Sequence, residues 1–106
     1  MVRGDVFELT LPTGRGHVQH GRRFAVVVQS DKTLGTSTTI VCPTSTAVRP
    51  TSFRPTITVE GTPTHVLCEQ VGAVDASYLK RQAGHLTLDE IRAVDAALED
   101  VLDLGA

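Results

Sequence analysis

The sequence predicts a mainly β chain with one helix: a compact antiparallel barrel followed by a C-terminal α-helix. Three observations carry this. Short apolar runs recur at close spacing through residues 5–74, Gly and Pro punctuate them, and the hydrophobic period changes after Leu86. A chain of 106 residues fits one domain, expected to span 1–106. With 41% hydrophobic and 21% charged residues, a disordered chain is ruled out.

The first expected strand is residues 5–11 (DVFELTL), where Phe7, Leu9 and Leu11 alternate with Val6, Glu8 and Thr10. Pro12, Gly14 and Gly16 stop it. Residues 24–28 (FAVVV) are continuously apolar and β-branched, as a strand covered on both faces must be. Residues 38–42 (TTIVC) form a third strand, expected to close at Pro43. Residues 56–59 and 65–68 read as a hairpin around Glu60-Gly61-Thr62-Pro63, and residues 71–74 as a short sixth strand. A helical turn is expected around residues 76–81.

The C-terminus carries a helix signature. Thr87-Leu88-Asp89-Glu90 is a capping box, with Leu86 and Ile91 placed as a hydrophobic staple. Ile91, Val94, Leu98, Val101 and Leu102 share one face, so a helix is expected over 88–103 with Gly105 as its stop.

Charge is lopsided. Residues 1–56 carry seven basic side chains against three acids, and residues 57–106 three against nine, in a chain of net charge -2. This split suggests a basic face for a polyanion. No apolar run is long enough to span a bilayer and the N-terminus lacks a signal-peptide core, so no membrane contact and a cytoplasmic location are expected. Cys42 and Cys68 are too few for a disulfide scaffold; whether they pair is open. His17-x-x-His20 has metal-compatible spacing, but no Cys, Asp or Glu lies near it in sequence, and neither a metal nor another cofactor is expected. His65 reads as a packed or surface histidine, Gly14-x-Gly16 as a turn, and Ser45 in a Pro-Thr-Ser-Thr stretch could simply bond its own backbone.

Read in order, RGDVF, PTGRG, GRRFAVVVQSD, VCPTST, CEQVGAVD and the final LT…DLG resemble the MazF/PemK family of toxin endoribonucleases, nearly end to end. The resemblance implies an SH3-like barrel, a homodimer, metal-free cleavage of single-stranded RNA and a cognate antitoxin partner. It carries the family's catalytic arginine and threonine onto Arg23 and Ser45. Three positions depart: Phe24 stands where the family has proline, Ser45 where it has threonine, and Val18 where some members have glutamate. RNA contacts are expected from Arg15, His17, Gln19 and Arg22 in the first loop, Thr44 and Thr46 beside Ser45, Arg49, Phe53 and Arg54 in the next loop, and Gln70.

The chemistry suits these residue types. RNA carries its own nucleophile, so the enzyme must align it, remove its proton and stabilise charge on phosphorus. A guanidinium offers phosphate a planar donor fork and is a poor base. Ser45 could orient a phosphate oxygen. No residue is legible as the base. The rival reading is a CcdB-like binding module that acts on a protein such as gyrase and cuts nothing.

Overall fold

The computed structural model describes residues 1–11 and 23–105. Seven strands and one helix follow in order: β1 Asp5–Leu9, β2 Arg23–Val27, β3 Thr38–Ser45, β4 Thr56–Val59, β5 Thr62–Val66, β6 Gly72–Asp75, β7 Leu79–His85 and α1 Leu88–Leu102. The strands form one antiparallel sheet in the order β4-β5-β3-β2-β1-β7, with β6 also on β3. The sheet curls into a half-barrel, as the sequence led us to expect, and α1 packs in its hollow. Among the described residues no helix is long and apolar enough to cross a membrane.

The sheet buries side chains on both faces. Val6, Val26 and Cys42 lie in a core with Ile57, Val66, Val94, Ala97 and Leu98, between sheet and helix. Leu9, Ala25, Val27, Val41 and Leu79 make a second core on the opposite face. Alternation along β2 therefore sends Val26 one way and Ala25 and Val27 the other, which is why residues 24–28 lack polar alternation. Cys42 and Cys68 are both buried and free.

Several expectations need correction, and the first strand ends at Leu9 rather than Leu11. β3 does not stop at Pro43 but continues to Ser45. Pro43 falls where β3 changes partner, after Val41 pairs with Gly72 of β6 and before Thr44 pairs with Val66 of β5. Its carbonyl accepts Leu67 N–H at 2.8 Å, so the ladder needs no donor from it. The hairpin turn is only Glu60-Gly61, with φ of 51° and 80°, and Thr62 and Pro63 belong to β5. Two positive φ values suit a two-residue turn between twisted strands, and Gly61 adopts its own without steric cost.

Cys68–Gln70 is a 3-10 turn, so the fifth strand ends at Val66 rather than Cys68. The expected helical turn after Ala76 shrinks to Ala76–Tyr78, and β7 follows it. β7 is an edge strand with most side chains exposed, so its LKRQAGH sequence carries little alternation to read.

The helix keeps its expected start. Thr87 Oγ1 accepts the Glu90 amide at 3.2 Å and Glu90 Oε1 accepts the Thr87 amide at 2.9 Å. Its end is set by Asp103, left-handed at φ 55°, not by Gly105.

Candidate active site

Arg23 opens β2 rather than preceding it, and pairs with Leu9 of β1. It lines a groove of about 230 Å³ with Leu9, Leu11, Val41, Pro43, Gln70, Gly72, Ala73 and Val74. The groove lies over the second core, so its floor is apolar and supported from below. Among the described residues Arg23 has neither a hydrogen bond nor an ion pair, and its guanidinium is available to a ligand.

Ser45 ends β3. β2 and β3 pair as Val27↔Val41, Val26↔Cys42 and Ala25↔Pro43. The pairing ends at Ala25↔Pro43, with Arg23 and Ser45 each two residues further along their strands. The intervening pair holds together through a side chain: Thr44 Oγ1 donates to Phe24 O at 3.2 Å. Ser45 Oγ accepts Ala47 N–H at 3.1 Å, the local turn bond its sequence suggested. That bond uses an acceptor lone pair, and the hydroxyl proton remains free to donate.

The remaining expected residues divide. Arg15, His17, Gln19 and Arg22 lie outside the described residues. Gln70 is exposed at the groove wall, and Thr46 and Arg49 are exposed in the loop after β3. Thr44 is a correction: it is buried at 4% exposure with its hydroxyl spent on Phe24, so it braces the strands rather than facing RNA. Arg54 is another. Its Nε and Nη2 both donate to Glu69 Oε2, at 2.8 and 2.5 Å. Phe53 packs against the sheet–helix core, with Arg54 lying 5.5 Å over its ring. Both residues shape the loop.

The charge split in sequence is partly undone in space. Arg3 of the basic half pairs with Asp95 at 2.7 Å and Arg54 with Glu69, while Arg81 of the acidic half reaches back to Glu8 at 2.8 Å. Arg23 and Arg49 are the arginines of the basic half left unpaired among the described residues.

Sequence reasoning undervalued His65. Ser45 pairs with His65 of β5, and His65 in turn with Thr56 of β4. His65 Nδ1 lies 3.1 Å from Thr56 Oγ1. Placing the fifth strand over residues 65–68, instead of Thr62–Val66, hid this register. The turn residues Thr62 and Pro63 were the available signal, because a two-residue Glu-Gly turn would have moved the strand back.

A curled sheet with one packed helix, and a groove on its outer face lined by Arg23, define a small half-barrel protein. Residues 2–102 match the model of the PemK-like, MazF-like toxins of type II toxin-antitoxin systems. The chain belongs to this family. It is 35% identical over 106 residues to the protein Rv3098A of Mycobacterium tuberculosis, covering 98% of this chain and 99% of that one. It is 30% identical over 115 residues to endoribonuclease MazF9 of the same organism, covering 98% of each. An endoribonuclease from a mycobacterial species, solved in complex with its cognate antitoxin, superposes with a TM-score of 0.81 at 16% identity, covering 100% of this chain and 98% of that one. That last likeness concerns the fold.

Proposed function

We propose that this chain is a toxin endoribonuclease that cuts single-stranded RNA without a metal, acts in the cytoplasm as a single-domain homodimer, and is held inactive by a cognate antitoxin. The observation that carries it is the uncommitted Arg23 guanidinium in the groove, near the end of the β2–β3 pairing from which Ser45 follows. Family membership supports this reading over the gyrase-directed one. The 2′-hydroxyl of RNA attacks the adjacent phosphate, Arg23 neutralises charge growing on the non-bridging oxygens, and the Ser45 hydroxyl donates to one of them. Serine keeps the hydroxyl that the family's threonine supplies. Phe24 in place of proline leaves β2 intact, since the strand still pairs with β1 through Glu8↔Phe24.

Gln70 on the groove wall is suited to a base edge, and the exposed Thr46 and Arg49 to the backbone of a passing strand. Arg15, His17, Gln19 and Arg22 are kept as proposed RNA contacts. An acidic antitoxin segment would compete for Arg23 and Arg49, with charge acting mainly on association rate.

The test is incubation of the purified protein with total RNA in EDTA. Discrete fragments ending in 2′,3′-cyclic phosphate support the proposal, and mapping their ends gives the cut sequence. Intact RNA, with stalled gyrase instead, overturns it.

A further inference from the structure

We propose that His65 is the general base of the RNA cleavage proposed above, taking the 2′-hydroxyl proton at its Nε2. The inference rests on that ribonuclease reading and supplies the proton acceptor that neither Arg23 nor Ser45 can be.

The geometry comes from strand register. Thr64 and Val66 of β5 are buried at 4% and 0% exposure, so His65 between them points to the opposite side of the strand. Its partner on β3 is Ser45. Directly opposed residues of an antiparallel pair share a face, with Cβ atoms about 4.5–5.5 Å apart. Ser45, His65 and Thr56 thus stand side by side across β3, β5 and β4. Arg23, at the start of β2, lies past the last β2–β3 pair, Ala25↔Pro43, toward the Ser45 end of β3.

Thr56 orients the ring. With Nδ1–H donating to Thr56 Oγ1 across 3.1 Å, Nε2 carries the lone pair and stands away from Thr56. The residues facing His65 from the packed strands, Ser45 on β3 and Thr56 on β4, are uncharged. Other described candidates are committed or misplaced. Glu69 is held by Arg54, and Glu8 and Glu60 by Arg81. His85 is bound to Asp5 at 2.8 Å, at the end of β1 remote from Leu9 and Arg23.

In the proposed step the 2′-O–H proton passes to His65 Nε2 as the 2′-oxygen bonds phosphorus. The P–O5′ bond breaks, the 5′-oxygen takes a proton from water, and the 2′,3′-cyclic phosphate remains. The imidazolium then returns its proton to solvent.

The experiment follows cleavage of total cellular RNA in EDTA from about pH 5 to about pH 9, with RNA binding measured in parallel. His65→Gln should fold and bind RNA like the parent, yet turn over ~10²–10⁴-fold more slowly and lose the acidic limb of the pH–rate profile. Free imidazole should restore part of the activity of His65→Ala. Thr56→Val, which spares the ring but not its anchor, should lower kcat with KM unchanged, and keeps the proposal open to refutation if the His65 variants do not fold. A His65→Gln protein that cuts at the parent rate with the parent pH profile overturns the inference alone. So does a loss confined to RNA binding, or a Thr56→Val protein of parent kcat. A parent chain that cuts no RNA overturns the ribonuclease reading itself, and the inference with it.

Discussion

Arg54 directs both Nε and Nη2 to a single oxygen of Glu69, at 2.8 and 2.5 Å, and so ties the loop before β4 to the 3-10 turn before β6. The other oxygen, Glu69 Oε1, is buried with no hydrogen-bond partner among the described residues, which limits the net gain. The Arg54 hydrogen bond outweighs burial and holds the Glu69 carboxyl below its ordinary value of 4.5. A depressed carboxylate contributes stability that is full above the ordinary value and lost as pH falls through the folded one. We expect Glu69→Gln to cost about 1–2 kcal/mol at neutral pH and to flatten the stability loss below about pH 4.5. Urea titrations at neutral and acid pH check this; parallel curves for parent and variant would refute it.

Arg23→Ala should lower RNA cleavage by ~10²–10³-fold while the fold survives. Arg23 is partly exposed and has no partner among the described residues, so stability should change by no more than about 0.5 kcal/mol. A variant with parent melting and parent cleavage would remove Arg23 from the chemistry.

Ser45→Ala should slow cleavage, and Ser45→Thr should retain it, because only the hydroxyl proton is asked to act. The turn bond to Ala47 N–H survives in the threonine variant and is lost with alanine. Circular dichroism on both variants separates a folding defect from a catalytic one. Parent rates in a folded Ser45→Ala would move the hydroxyl role to the exposed Thr46.

Glu90 joins the helix to the sheet: Oε1 accepts the Thr87 amide and Oε2 the Thr58 amide of β4, each at 2.9 Å. Glu90→Ala should destabilise by about 1–2 kcal/mol, combining a lost cap with an unpaired strand amide. Thr87→Ala should cost about 1 kcal/mol, since Glu90 still reaches Thr58. Equal thermal midpoints for the two variants would count against the second role.

Sedimentation at micromolar concentration should give about twice the chain mass of 11.3 kDa. One groove of about 230 Å³ is short for a stretch of RNA, and a two-fold axis would place a second basic wall beside it. A fully active monomer would refute this arrangement.

What the sequence determined by itself was what local chemistry decides. The capping box of α1 closes within four residues, and the apolar run of β2 follows from burial on both faces. Arg23 and Ser45 were legible because a family pattern marks them, not because their neighbours in the chain reveal a site. The tertiary structure decided the remainder. β3 passes through Pro43 because its partners change there, β7 is held as an edge by β1, and Asp103 takes the left-handed cap that Gly105 seemed to offer. Arg54 is held by Glu69, fifteen residues away in the chain. His65 entered the row beside Ser45 because a turn two residues long fixed the register of β5. Such pairings depend on register between strands distant in the chain, where a shift of one residue turns every side chain to the other face.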